Sequence, residues 1–370
     1  MEDFKQITII GTGLIGGSLG LAFKEQFPEM RIKGVTRKKE NLDKALEMGA
    51  IDEGTFSLPE AVSGSDLVFV ATPVGSIVEI IKQIYPHLKE GAIITDVGST
   101  KARIVHRVDI FLPDNLHFIG GHPMAGSEQQ GVGAAHADLF KNAFYFLTPT
   151  NRTDNTAFKT LHSLLTKTGA QVLSIDPDKH DRLMAKISHL PHIVSAALVH
   201  LVDQHATEIE NPLFLTGRSF QEMTRIAASS PELWLDVCIE NDEAILEALD
   251  EFQQQLKGFA KLIRKKKREA LSQKFEEAKV TRLSLPSMFE KKVAQLFELS
   301  IPVADEPGAI SEITLSIGRL GTNIEDIEIV PLTKTSGILK LVLAEKKNAS
   351  QAAKVLQEKG YEVKLKSYHK

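Results

Sequence analysis

His122 stands in the run GGHPMAGSE (Gly120 to Glu128), between glycines and ahead of a proline. An imidazole changes charge near neutral pH, so a histidine fixed in this way suits general acid–base chemistry. Pro123 biases His122 toward an extended backbone, and the glycines permit close approach of a ligand. The bland alternative is a hydrogen-bonded histidine on a surface loop. A second polar run, TDVGSTK (Thr95 to Lys101), offers the Ser99 hydroxyl and the Lys101 cation directly after an apolar stretch. Arg225, within TRIAASSPELW, suits a bidentate grip on a carboxylate. Its competing use is a surface ion pair with Glu222, three residues earlier. His189 and His192 in SHLPH are spaced to share a metal, but no third ligand accompanies them and Pro191 is expected to interrupt the helix. No metal site is expected; ligand-contacting or core histidines fit better.

A different chemistry is written at the N-terminus. In ITIIGTGLIGGSLG (Ile7 to Gly20) an apolar strand stops on Gly11 and a helical pattern begins within a few residues. Gly11, Gly13 and Gly16 form GxGxxG around Leu14 and Ile15. The first glycine serves the turn, the second the approach of a pyrophosphate, the third close packing of helix on strand. Free N–H groups at the helix start then face the phosphates. At the end of the second strand an NAD site usually carries Asp or Glu. Here Gly34-Val35-Thr36 is followed by Arg37, Lys38 and Lys39. The cofactor expected is NAD, with NADP possible because of Thr36-Arg37; the alternative is that these cations merely open a solvated helix.

These groups need a scaffold that brings distant loops to one edge. The first 170 or so residues alternate strand-like runs (Ile32 to Val35, Leu67 to Ala71, Ile93 to Thr95, Phe118 to Gly120, Phe144 to Leu147) with helix-like stretches. That pattern predicts a parallel sheet with helices on both faces, and ligands beyond the carboxyl ends of its strands. The loops of interest are then Thr36 to Lys39, Thr72 to Gly75 (with Thr72 and Pro73 at the cofactor), Asp96 to Lys101 and Gly121 to Glu128. From about Ile175 long helices take over. His180 to Asp203 is apolar nearly all round, which implies burial on several sides and a subunit interface. The basic run RKKKR (Arg264 to Arg268) reads as a solvated helix face. Pro286 and its serine neighbours mark a linker. Beyond it, strand, helix, strand, strand, helix and strand follow in the order βαββαβ. Four segments result: a Rossmann domain over 1–172, an all-α helical domain over 173–279, a linker over 280–293, and an α+β ferredoxin-like domain over 294–370.

Composition bounds the partners. The chain has 370 residues and a net charge of −4, so no global field recruits nucleic acid or an anionic membrane. Its one cysteine, Cys238, rules out an internal disulfide framework. No apolar stretch is expected to reach the roughly 18 residues of a membrane span, and MEDFKQ lacks the features of a signal peptide. A cytoplasmic protein is expected.

Assembled in order, GTGLIGGS (Gly11 to Ser18), ATPV (Ala71 to Val74), TDVGSTK, GGHPMAGSE, SHLPH (Ser188 to His192) and TRIAASSPELW (Thr224 to Trp234) closely resemble the prephenate dehydrogenase family. DEPGAISEIT (Asp305 to Thr314) is similar to the ACT domain, an amino-acid-sensing module. The resemblance implies oxidative decarboxylation of prephenate to 4-hydroxyphenylpyruvate with hydride transfer to NAD(P)+, a step of tyrosine biosynthesis, by a homodimer. It implies that His122 and Ser99 are catalytic, that Arg225 and His192 bind substrate, and that Glu128 is a polar partner near the mouth. L-Tyrosine is the effector it implies, held through Asp305, Gly308 and Asn323. Arogenate dehydrogenase shares the fold and is the alternative. A β-hydroxyacid dehydrogenase would carry a catalytic lysine on the helical domain, which is not convincingly placed here. A non-enzymatic sensor would leave His122, Ser99 and Arg225 without purpose.

Overall fold

The computed structural model describes residues 4–126, 129, 131–204, 216–284, 296–304, 306, 309–322, 324–331, 336–344 and 346–367. It divides into two compact units, Met1–Gly258 and Phe259–Lys370.

The first unit is built on an eight-stranded sheet. Its strands are β1 (Gln6–Ile10), β2 (Arg31–Val35), β3 (Glu53–Thr55), β4 (Leu67–Val70), β5 (Ile93–Asp96), β6 (His117–Pro123), β7 (Phe144–Thr148) and β8 (Gln171–Ser174), in the order β3-β2-β1-β4-β5-β6-β7-β8. Helices α1 (Leu14–Gln26), α2 (Lys39–Glu47), α3 (Leu58–Val62), α4 (Ile77–Ile84), α5 (Ala102–Phe111) and α6 (Asn155–Lys167) alternate with them. The central strands β1, β4 and β5 are buried along their whole length, because both faces of a parallel sheet are covered and continuous apolar runs are what such strands require. Separate apolar cores, one containing Ile9, Phe23 and Phe69 and the other Ile10, Val68 and Ile81, take up the alternating side chains.

Two features of the sheet depart from the sequence expectation. The sheet is not wholly parallel: β7 runs antiparallel to β6. A parallel return needs a crossover of a dozen or more residues, usually a helix, whereas the β6–β7 connection folds into two 3₁₀ turns, Val132–Ala134 and Ala137–Phe140. The second departure moves a functional residue. β6 extends to Pro123, so His122 lies on a strand, opposite Phe146 of β7, and not in a loop. Pairing with β7 supplies the ladder that carries the strand past Gly120.

The helices after β8 are α7 (Pro177–Met184), α8 (Leu190–Asp203), α9 (Arg218–Thr224), α10 (Pro231–Glu240) and α11 (Asp242–Arg264). Between α7 and α8 the chain makes a π-helical turn, Ala185–His189. Pro191 therefore does not interrupt the helix as expected. The wider π turn frees the geometry upstream of a residue that cannot donate an N–H, and α8 starts with Pro191 in its first turn. The combined run Pro177–Asp203 is, contrary to expectation, long and apolar enough to cross a membrane by length and composition. Its first half is nevertheless stitched into the first unit through His180, Asp181 and His189, all buried. Within one chain its second half is little buried. In α8 only Ser195 is buried, while Leu201 is 56% exposed and, in the π turn, Ile187 is 54% exposed.

The second unit begins within α11, whose end packs against α12 (Arg268–Leu283) through Phe259 and Phe275, ring centroids 5.6 Å apart. Helix thus covers the first residues assigned to the linker. Then come β9 (Leu296–Ala304), α13 (Ala309–Gly318), β10 (Ile324–Pro331), β11 (Ser336–Ala344), α14 (Lys346–Glu358) and β12 (Lys364–Ser367). All neighbours are antiparallel in the order β10-β11-β9-β12. Every second residue of β9 and β11, among them Leu299, Ile301, Leu339 and Leu341, joins Ile313, Ile317, Ala352 and Leu356 of the two helices in one core. This is an α+β unit in βαββαβ order.

Candidate active site

The site grows from the carboxyl end of β5. That strand ends on Asp96, a carboxylate with no solvent exposure, so each oxygen must be satisfied inside. Asp96 Oδ2 accepts from the Gly98 amide at 2.8 Å, Oδ1 accepts from the Gly121 amide at 3.1 Å, and the side chain forms an ion pair with the equally buried Lys101. Burial pulls the Lys101 ammonium pKa down, while Asp96 and Asp181 pull it back up. One carboxylate thereby folds the TDVGSTK loop and ties it to β6. Gly121 is glycine for packing: a Cβ there would lie 2.5 Å from the Asp96 carbonyl oxygen.

The next layer joins this loop to the helical region. Asp181 of α7 accepts from the Lys101 amide at 2.7 Å and the Ala102 amide at 2.8 Å, capping the otherwise unpaired start of α5. Its neighbour His180 places Nδ1 2.7 Å from Asp181 Oδ1 and Nε2 2.9 Å from His122 Nδ1. A carboxylate can only accept, so His180 donates from Nδ1 and accepts at Nε2; His122 must then donate from Nδ1. The His122 Nε2 lone pair is left as the acceptor. Burial, first of all, then the neighbouring His180, Lys101 and His189, hold the His122 pKa well below its ordinary 6.5. His122 is a neutral base at physiological pH, oriented through a relay of Asp181 and His180.

A cluster on the helices continues the wall. His189 is buried and takes a contact of 3.1 Å from Asn241 Nδ2, which also donates to the Asp181 carbonyl. His192 donates Nδ1–H to the Ser188 carbonyl at 3.0 Å and stacks on Trp234 with centroids 3.7 Å apart. Its pKa is lowered by burial and, after the opposing Ser188 bond, by the charge of nearby Arg225. Arg225 is exposed at the start of a 3₁₀ turn. Glu222 does not serve it in the way the sequence allowed, since that carboxylate pairs with Arg218 at 3.0 Å.

Of the residues expected to act together, the structure thus brings His192 beside Arg225. It does not join Ser99 to His122: the Ser99 hydroxyl is buried with no partner among the described residues, which leaves it available to a ligand. Glu128 lies outside the described residues, as do Asp305, Gly308 and Asn323. His180, Asp181, Asp96 and Asn241 were not anticipated. The available signals were modest: a charged residue closing the buried run IITD, and an Asp176-Pro177 helix start that sets His180 and Asp181 in the first turns of α7.

Gly11, Gly13, Thr72, Pro73 and Arg37 line a single cavity of about 890 Å³ above β1, β2 and β4. Gly11 adopts φ +98°, and a Cβ there would lie 2.3 Å from the Ala71 carbonyl oxygen. A Cβ on Gly16 would meet Gly11 O at 2.0 Å, whereas at Gly13 it would meet nothing within 4 Å. The second glycine alone faces open space, which fits a dinucleotide pyrophosphate. Leu14 and Ile15 belong to the start of α1. Asp236 of α10 reaches this cavity and accepts from the Gly75 amide at 3.0 Å.

The buried histidines make stability depend on pH. His122, His180, His189 and His192 all titrate below 6.5 in the fold, His189 at about 4, in each case chiefly through burial. Between pH 6.5 and 4 the unfolded chain therefore binds more protons than the fold. The melting temperature is expected to hold above that window and to fall as pH drops through it. Melting curves recorded across the range check this, and a His189→Asn variant should show a shallower fall.

Two family models match the first unit and continue into α12: "Prephenate dehydrogenase, nucleotide-binding domain" over residues 19–174 and "Prephenate dehydrogenase, dimerization domain" over residues 176–277. The prephenate dehydrogenase of Bacillus subtilis (strain 168) is 38% identical over 340 residues, covering 90% of this chain and 91% of that protein. A crystal structure of Aquifex aeolicus prephenate dehydrogenase in complex with hydroxyphenyl propionate and NAD+ shares 33% identity at a TM-score of 0.73, over 77% of this chain and 99% of that one. Synechocystis arogenate dehydrogenase shares 32% identity at a TM-score of 0.66, over 75% and 98%. With the two models together spanning most of the chain, and a relative aligned along most of both sequences, this chain belongs to the prephenate dehydrogenase family.

Proposed function

We propose a division of labour among this chain's residues for the family reaction, the NAD(P)-dependent oxidative decarboxylation of prephenate to 4-hydroxyphenylpyruvate. The observation that carries it is the oriented, neutral His122, whose Nε2 is left as an acceptor by the His180–Asp181 relay. Nicotinamide, when bound, accepts the hydride from the ring carbon that bears the hydroxyl. His122 takes the proton of that hydroxyl as it becomes acidic, carbon dioxide departs leaving its bonding pair to aromatise the ring, and the proton goes back to the phenolate oxygen. Ser99 hydrogen-bonds the same hydroxyl, which gives its buried Oγ the partner it lacks in the chain alone. Arg225 holds a substrate carboxylate, His192 shapes the pocket beside it, and Glu128 is a polar partner of the substrate. Gly11 to Gly16, Thr72 and Pro73 receive the dinucleotide.

Formation of reduced nicotinamide with prephenate, followed by its absorbance, tests the reading; silence with both NAD+ and NADP+ would overturn it. Arogenate differs from prephenate by an amino group in place of the side-chain keto group, and a relative of that name lies at similar identity. The same assay with arogenate decides between them. Arg225→Ala is expected to raise KM at least about tenfold with a smaller change in kcat, the pattern of lost uniform binding. An unchanged KM would remove Arg225 from the substrate site.

The exposed apolar side chains of the helical part, among them Leu201, Met223, Leu235 and Ile239, support a homodimer in which a second copy covers α8. The βαββαβ unit supports an ACT domain that binds L-tyrosine for feedback control, in a cytoplasmic biosynthetic enzyme. Allostery of that kind means a measurable coupling between tyrosine and substrate affinity.

A further inference from the structure

The adenosine end of the cofactor cavity carries more positive charge than the chain itself neutralises. Thr36, Arg37, Lys38 and Asn41 line it where β2 ends and α2 begins. Arg37 and Lys38 are exposed, and among the described residues their side chains make no hydrogen bond or ion pair. Phe56, Leu58 and Ile80 add apolar wall to the same cavity, suited to a base. The carboxylates are elsewhere. Asp52 accepts from the Ile32 amide at 2.7 Å and pairs with Lys24 at 2.6 Å, and Glu53 pairs with Arg31, all toward the far end of β2. Among the lining residues the sole carboxylate is Asp236, already engaged by the Gly75 amide.

Chemically, this wall lacks the group that would accept two hydrogen bonds from a ribose diol and repel a phosphate. It offers instead a guanidinium that can grip phosphate oxygens in parallel, an ammonium, a hydroxyl and an amide. We infer that Thr36, Arg37 and Lys38 form a 2′-phosphate site, so that this chain binds NADP+ in preference to NAD+, with NAD+ a weaker ligand of the same cavity. The inference rests on reading the cavity as the dinucleotide site. Arg37 supplies the larger share, because its planar fork matches two phosphate oxygens where Lys38 offers a point charge.

Calorimetric titration of the full chain with NADP+ and, separately, NAD+ tests this without turnover. NADP+ is expected to bind tighter by on the order of tenfold or more, as for hydrogen bonds to a charged group, and its affinity should fall more steeply with added salt than that of NAD+. Arg37→Asp is expected to abolish the preference, with NADP+ weakened at least about tenfold and NAD+ unchanged or improved. Arg37→Gln, which removes charge without introducing repulsion, should lie between. Equal or tighter binding of NAD+ by the unaltered chain would overturn the inference while leaving the cavity's role intact. Binding of neither dinucleotide would overturn the reading of the cavity itself.

Discussion

Replacing His122 with Asn is expected to lower kcat by about a hundred- to ten-thousandfold while leaving cofactor affinity unchanged. The asparagine side chain can still offer a donor to His180 but has no basic nitrogen to take a proton. The cofactor cavity is lined by other residues, so dinucleotide titration serves as a control for folding. The relay makes a graded companion. His180→Ala keeps the base but removes the acceptor that fixes its tautomer and ring orientation, so kcat should fall to a value between those of the parent and His122→Asn. Its pH profile should also move, because the partner that burial keeps neutral is gone. Near-normal turnover by His122→Asn would remove this residue from proton transfer.

Lys101→Met is expected to cost about 3–5 kcal/mol of stability, the usual consequence of leaving one member of a buried ion pair alone. Asp96 would retain only the amides of Gly98 and Gly121 in a site with no access to water. Urea denaturation reads the loss as a lower midpoint. The double variant Lys101→Met/Asp96→Asn should recover part of it, since the stranded charge is removed. A single-variant loss below about 1 kcal/mol would mean that the amides alone satisfy Asp96.

How much could be read from residue order follows from the range of the forces involved. GxGxxG was legible because each glycine answers a local backbone demand, down to the positive φ of Gly11. The alternation of strands and helices was legible because burial on both faces dictates residue type. His122 was picked out by its setting, but its place on β6 depends on pairing with β7, more than twenty residues on. His180 was beyond reach for the same reason: 58 residues separate it from His122, and nothing near either one records the contact. Pro191 signals a break by the rule for α-helices, and the chain meets it with a π turn that residue order does not announce. The apolar surround of α8 is legible as composition, and a single chain leaves most of it unburied.

Helix α10 touches both halves of the site. Trp234 stacks against His192 on the side proposed for substrate, and Asp236, two positions later and so about 200° around the helix axis, holds the Gly75 amide beside the cavity proposed for the dinucleotide. One short rod is therefore a party wall between two chambers. With substrate on the Trp234 side, as proposed, and dinucleotide in the cavity, any coupling that α10 carries between them acts on both affinities to the same extent by thermodynamic necessity.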